Sequence, residues 1–140
     1  MLPFPVSLVS GESPYRQVVY AATKAVVSGV LSAGSPFPSV RELSQALKIN
    51  PNTAHKVVAE LVRNGVLEVL PGVGTVVAIG AESSAADKQA LLSKPVEQLV
   101  VEAMRLGLKK QDVVQAVASR WRELSGETQH DAADRAATPE

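Results

Sequence analysis

The fold of this chain is decided by the stretch GSPFPSVRELSQALKINPNT, residues 34–53. Its prolines end a preceding helix, because proline restricts its own backbone and that of the residue before it. Ser39, with Glu42 three residues further on, forms a capping-box pattern, which predicts that a helix begins there. Asn50 followed by Pro51 predicts the start of the next helix, with a capping side chain and a proline in the first turn. The stretch therefore predicts two short helices in succession.

A further helix is predicted upstream, where Ser13 and Pro14 combine a capping side chain with a proline at the first helical position. Apolar residues recur at helical spacing in all three segments, and these positions should face a common core. They are Val18, Val19, Ala22, Val26 and Val27 in the first helix, Leu43, Ala46 and Leu47 in the second, and Ala54, Val57, Val58, Leu61 and Val62 in the third.

Two β-prone runs follow, Val66–Leu70 and Thr75–Ile79, and the turn-forming residues Pro71–Gly74 join them. This pattern predicts a β-hairpin. Three helices followed by a hairpin describe a winged helix-turn-helix over residues 1–79, although periodicity alone permits other packings. The fold class is thus mainly α with a small β-hairpin wing.

The rest of the chain is predicted to be helical up to residue 124. Residues 80–87 suit a linker or a helix start, Pro95 should begin or kink a helix, and Gly107 should break it. Two apolar stripes result, Leu91, Leu92, Val96, Leu99, Val100 and Ala103, and then Val113, Val114, Val117, Trp121 and Leu124. Residues 125–140 have almost no large apolar side chains and are predicted to be disordered.

Composition narrows the class of protein. The 140 residues, 46% of them hydrophobic, suit one modest domain with an extension. The absence of cysteine excludes disulfides and thiolate metal sites, and fits a reducing cytoplasm. No apolar stretch has membrane-spanning length, and the apolar start lacks the basic residues of a signal peptide. We expect a cytoplasmic protein without a metal or other cofactor.

Charge is distributed unevenly although the formal net charge is zero. Residues 15–79 carry six basic side chains against three acidic ones, whereas residues 125–140 carry four acidic against one basic. A basic first half is compatible with a polyanionic partner such as nucleic acid.

The third helix offers side chains that could contact such a partner. Its outward positions are Asn50, Asn52, Thr53, His55 and Lys56. The alternative is that Asn50 and Thr53 only cap the helix and His55 is an ordinary surface residue.

The motifs together resemble the GntR family of bacterial regulators. The resemblance rests on Tyr15-Arg16-Gln17, residues 34–44, Asn52-Thr53, Leu61, Gly65-Val66-Leu67 and residues 71–75, and covers about half the chain. Residues 50–53 and the short tail, with 101–103 and 106–108, are similar to the YtrA-type branch. Such a resemblance implies duplex DNA as the partner.

It also implies roles for individual residues. Arg41 would bind DNA and Ser39 would touch a phosphate, although Ser39 also caps its helix and Arg41 could pair with Glu42 or Glu68. Asn52, Thr53, His55 and Lys56 would form the recognition surface, with Asn52 and His55 as the main base readers. Gly72, Gly74 and Thr75 would bring the wing backbone close to DNA, unless the glycines serve only a tight turn. Pro51 and Val73 stand where many members have basic residues, so fewer phosphates would be neutralised.

About 45 residues cannot build the large effector domains of other family members, so the C-terminal helices are expected to pair with a second copy. The expected seam is Leu92, Val96, Leu99, Val117 and Trp121, unless these residues fold back onto their own winged helix.

We expect a homodimeric repressor of a palindromic operator, with family analogy pointing to a transporter operon. A small-molecule effector is a possible further partner. The alternative function is that of a winged helix that interacts with proteins without binding specific DNA. An enzyme is not expected, because no catalytic constellation or phosphate-binding loop is present.

Overall fold

The computed structural model describes residues 1–79 and 83–126. The chain divides into two compact units, Met1–Ala81 and Glu82–Glu140. Disorder is predicted for residues 125–140, of which residues 127–140 lie outside the described residues. Ser125, which the sequence analysis placed in that tail, is instead the last residue of a helix.

The first unit consists of three helices and a hairpin. The helices are α1 (Pro14–Val27), α2 (Val40–Leu47) and α3 (Pro51–Arg63), and the antiparallel strands are β1 (Leu67–Leu70) and β2 (Gly74–Val77). This is the predicted winged helix-turn-helix with a small β-hairpin. The strands are slightly shorter than the predicted runs, and Gly74 pairs with Leu70 inside the ladder rather than lying in the turn.

Each of the three helices begins at its predicted cap. The Ser13 hydroxyl accepts a hydrogen bond from the Arg16 N–H at 3.4 Å, and the Asn50 side chain accepts one from the Asn52 N–H at 2.8 Å. Ser39 forms the complete capping box with Glu42. These side chains satisfy N–H groups that a helix start leaves without an intrahelical partner. Local sequence therefore sets the three starting points.

The core lies where α1, α2, α3 and the hairpin meet. Its buried members are Phe4, Val18, Ala22, Ala25, Leu31, Phe37, Leu43, Ala54, Val57, Leu61, Leu67 and Val77. Two predicted core residues are wrong: Val27 is 65% exposed, and Ala46 is also exposed. Val27 lies about 180° around α1 from Val18, so Ala25 takes the inward position instead. In α2 the inward stripe runs through buried Leu43 and half-buried Val40 and Leu47, which turns Ala46 outward.

Two segments for which no helix or strand is predicted complete this unit. Residues 34–37, between α1 and α2, lie along the free edge of β2. Gly34 N–H donates to Val77 O and Phe37 N–H to Thr75 O, both at 2.9 Å. The N-terminal segment is tied to α1 by Gln17, whose side-chain amide donates to Val9 O and Glu12 O, both at 3.1 Å. The β2 edge is therefore paired, and residues 1–12 belong to the domain.

The second unit contains α4 (Ala85–Leu92), α5 (Lys94–Arg105) and α6 (Lys110–Ser125). Pro95 lies in the first turn of α5, which begins at Lys94, rather than kinking a longer helix. Gly107 ends α5, with its N–H bonded to Met104 O and the Leu108 N–H bonded to Ala103 O. Among the described residues of this unit, Ala103 is the one buried hydrophobic side chain. The unit therefore has almost no core of its own.

Candidate nucleic-acid interface

The first turn of α2 presents Ser39 and Arg41. Ser39 Oγ accepts the Glu42 N–H at 3.1 Å, while the Glu42 carboxylate accepts the Ser39 N–H at 3.5 Å. Arg41 is exposed, and its guanidinium makes no ion pair or hydrogen bond with any other residue that the structure describes. The pairing of Arg41 with Glu42 or Glu68, which the sequence left open, is therefore not found. The guanidinium remains available to an external acceptor.

The start of α3 carries the predicted recognition residues. Asn52, His55 and Lys56 are exposed, and Thr53 is half-buried. The Asn50 side-chain oxygen is occupied by its capping hydrogen bond to the Asn52 N–H. A side chain that caps a helix through its oxygen offers mainly its amide N–H groups outward. Asn50 thus acts as a cap in this structure, and the other four residues form the outward surface of the first two turns.

A surface depression of about 470 Å³ connects this surface to α1. It is lined by Tyr15, Thr53, Lys56, Ala59, Glu60 and Arg63. Glu60 forms an ion pair with Arg63, one turn further along α3. The sequence analysis predicted Thr53 and Lys56 here but missed Tyr15, Ala59 and Arg63. The spacing of 56, 59 and 63 on a single helix face is a signal that can find the last two.

The hairpin supplies the wing. Gly72 and Gly74 have φ values of +77° and +114°, and a Cβ built on either would have no neighbour within 4 Å. Space is therefore open at both positions, and the backbone conformation is what favours glycine there. Thr75 is half-buried, and its carbonyl oxygen accepts a hydrogen bond from the Phe37 N–H. Between the glycines Val73 is 72% exposed, so the wing tip is apolar.

Positive charge is confined to the helical part of this unit. Arg41, Lys48, Lys56 and Arg63 are all exposed on or beside α2 and α3. By contrast, the segment 64–79, which includes the whole hairpin, has no lysine or arginine and one acidic residue, Glu68. An electrostatic contact with a polyanion would therefore be made by the helices and not by the wing.

The second unit exposes the five residues predicted to form a dimer seam. The exposed fractions are 65% for Leu92, 41% for Val96, 49% for Leu99, 50% for Val117 and 68% for Trp121. Other large apolar side chains of α5 and α6 are exposed as well, namely Val100, Val101, Met104 and Val114. These side chains give α5 and α6 an exposed apolar surface.

Within the described residues, no group of acidic, histidine or cysteine side chains is placed to hold a metal ion. None of the helices in that part of the chain is long and apolar enough to span a bilayer.

Comparison with known proteins agrees with this geometry. The model of the family "Bacterial regulatory proteins, gntR family" matches residues 14–77, from the start of α1 to the end of β2. The HTH-type transcriptional repressor YtrA of Bacillus subtilis is 31% identical over 96 residues, covering 68% of this chain and 74% of YtrA. An uncharacterized regulator of the same organism, YhcF, is 32% identical over 108 residues, covering 77% of this chain and 89% of YhcF.

Among solved structures, a transcriptional antiterminator of Listeria monocytogenes EGD-e superposes with a TM-score of 0.75 at 26% identity. The match covers 87% of this chain and 92% of the Listeria protein. These relatives are regulators of transcription and not enzymes. The chain therefore belongs to the GntR family of bacterial transcription regulators, and it is a regulator of the YtrA type.

Proposed function

We propose that the chain is a homodimeric repressor that binds a palindromic DNA operator in the cytoplasm. The observation that carries the proposal is the set of exposed side chains Arg41, Asn52, His55 and Lys56 at the heads of α2 and α3. The major groove admits one α-helix, and residues near the start of that helix reach base edges. Arg41 and Lys56 have the charge that phosphates or guanine attract, and neither is used inside the described chain.

The proposed contacts divide into those that read bases and those that position the protein. Asn52 and His55 are assigned to base edges, because an asparagine amide can pair with adenine through two hydrogen bonds. Ser39, Thr53 and Lys56 are assigned to phosphates, which fix register without carrying sequence information. Gly72, Gly74 and Thr75 are assigned to the approach of the wing backbone to the sugar-phosphate wall.

The dimer is proposed from the second unit. A palindromic operator presents two half-sites about 34 Å apart, so two recognition helices must be held by a two-fold axis. Leu92, Val96, Leu99, Val117 and Trp121 are the exposed apolar residues assigned to that interface. A second copy is the occupant that explains them best, because a self-complementary interface places the same surface on both subunits.

The direction of regulation is proposed from the relative that is named a repressor, YtrA of Bacillus subtilis. A repressor needs only an operator that overlaps a promoter, and the exposed recognition surface is sufficient for that. Control of a transporter operon is proposed by family analogy alone.

The test begins with selection of duplex fragments from the source genome, followed by anisotropy titrations on a selected fragment and on a scrambled duplex of equal composition. We expect preference for the selected fragment, and a linear fall of log K with log salt. Arg41→Ala should weaken operator binding by roughly 1–3 kcal/mol. Arg122→Ala removes the same charge from exposed α6 and is the control, with circular dichroism to check the fold.

Equal affinity for the selected and scrambled duplexes would contradict sequence-specific recognition. Absence of salt-dependent binding to either duplex would favour the alternative, a winged helix that interacts with proteins. An Arg41→Ala variant that keeps its fold and its affinity would remove Arg41 from the interface.

A further inference from the structure

Lys48, in the turn between α2 and α3, has an unusual backbone conformation. Its φ and ψ are 55° and 45°, in the left-handed helical region. Every other described residue at positive φ is a glycine. A side chain in this region brings Cβ against the following carbonyl oxygen, and the position after a helix therefore commonly holds glycine. The turn thus keeps a lysine where the backbone favours a glycine.

The turn around Lys48 is held firmly on both sides. The N–H groups of Lys48 and Ile49 both donate to Ser44 O, and the Ser44 hydroxyl donates to Ile49 O at 2.9 Å. Leu47 and Ile49 are half-buried against the core, so their side chains point inward. Lys48 lies between these two anchors and is itself exposed. The left-handed conformation is therefore imposed by the surrounding structure.

Within the described chain, the lysine side chain makes no contact that would offset the cost of the left-handed backbone. Its ammonium group makes no ion pair and no hydrogen bond with any residue that the structure describes. Backbone conformations of this kind, when over-determined by their surroundings, cluster at functional sites. The exposed ammonium group of Lys48, without an internal partner, is free to make an external contact.

Lys48 shortly precedes the proposed recognition helix. It stands two residues before Asn50, the N-cap of α3, so the same turn that presents the recognition helix also presents its ammonium group. The neighbouring Pro51 and the whole hairpin contribute no positive charge. A lysine on a flexible four-carbon stem is suited to a point-charge contact with a phosphate.

We propose that Lys48 contacts a backbone phosphate of the DNA at the edge of each half-site, and that the fold retains a destabilising turn for this contact. The inference rests on the proposed DNA-binding function and deepens it. Because phosphates carry no sequence information, the contact should increase affinity for operator and scrambled duplex alike. It should also contribute to the salt dependence of binding.

Three variants separate charge from backbone strain. Lys48→Gly relieves the strain and removes the charge, Lys48→Gln removes the charge alone, and Lys48→Arg keeps the charge. We expect Lys48→Gly to raise the Tm by roughly 2–8 °C. Both uncharged variants should lower the slope of log K against log salt by about 0.9 for each bound subunit. At 0.1 M salt that corresponds to roughly a three- to tenfold loss of affinity per subunit, equal on both duplexes.

The control is Lys24→Gln, which removes the same charge from the last turn of α1. It should leave the salt slope unchanged, and Lys48→Arg should retain the wild-type slope. The inference is overturned if Lys48→Gly or Lys48→Gln keeps the wild-type slope, or if Lys24→Gln changes it equally. Failure of the DNA-binding proposal itself would be recognised separately, because the wild-type chain would then show no salt-dependent binding at all.

Discussion

The ring of Phe4 stacks on the ring of Phe37, with centroids 5.6 Å apart and an interplanar angle of 22°. Phe4 comes from the N-terminal segment before α1, and Phe37 from the segment that pairs with β2. Both side chains are at least 94% buried. The contact therefore joins two irregular segments within the core. The winged helix thus includes residues that precede its first helix.

Replacing Phe4 should test this contribution to stability. Phe4→Ala removes a buried aromatic ring and leaves a cavity beside Phe37, so the free energy of unfolding should fall by roughly 3–5 kcal/mol. Urea denaturation followed by circular dichroism measures the change. Val9→Ala, in the same segment but 58% exposed, is the matched control and should have little effect. Equal stability of the two variants would mean that the N-terminal segment is not part of the core.

The two roles of Ser39 can be separated by substitution. Ser39→Ala loses the cap of α2 and should cost about 1 kcal/mol of stability. Ser39→Asp caps equally well and favours the helix dipole, so stability should stay within about 0.5 kcal/mol of wild type. Its carboxylate would, however, face DNA phosphates, and operator affinity should fall at least about tenfold.

Ser84→Asp, at the N-cap of α4, adds the same charge to a cap in the other unit and serves as the control. Anisotropy titration gives the affinity and thermal denaturation gives the stability. Ser39 would be only a cap if Ser39→Asp bound the operator as tightly as Ser84→Asp.

The apolar wing should respond to an added cation. Val73 is 72% exposed between two glycines, and the hairpin contains no basic residue. Val73→Lys should therefore create a new phosphate contact, increasing the slope of log K against log salt by about 0.9 per subunit. Val27→Lys, at an exposed position in the last turn of α1, is the control for added charge. A slope that is the same in both variants would place the wing away from the DNA backbone.

The proposed dimer can be tested by placing charge in its seam. Leu99→Asp combined with Trp121→Asp should give a monomer, because a large buried aromatic usually contributes much of the association energy and a buried unpaired charge opposes association. Sedimentation measures the oligomeric state. Affinity for a palindrome should then fall towards that for a single half-site, because the second contact is no longer intramolecular.

The control for this double variant is Gln98→Asp combined with Ser119→Asp, which adds the same charges on other faces of α5 and α6. It should remain dimeric and bind the palindrome normally. A dimeric Leu99→Asp, Trp121→Asp variant, or a wild-type chain that is monomeric at micromolar concentration, would contradict the proposed seam.

Several features of the first unit could be predicted because their causes lie within a few residues. The starts of α1, α2 and α3 follow from Ser13, Ser39 and Asn50, whose side chains bond N–H groups two or three residues away. The hairpin follows from β-prone runs flanking Pro71–Gly74. The outward position of Asn52, His55 and Lys56 follows from the apolar face of α3, since helical geometry places the remaining residues opposite.

Other features were decided by the tertiary structure. The inward face of α1 is centred on Ala22, not near Val27, because packing against α3 selects one of several apolar directions around the helix. The burial of Phe4, and the pairing of residues 34–37 with β2, bring together parts of the chain that local patterns cannot relate. The left-handed conformation of Lys48 arises because the anchoring of Leu47 and Ile49 outweighs the preference of the residue between them. The sequence alone thus determined where the helices and the hairpin form, because capping and periodicity act over a few residues. Packing contacts between distant segments decided which helix faces are buried and which backbone positions are strained.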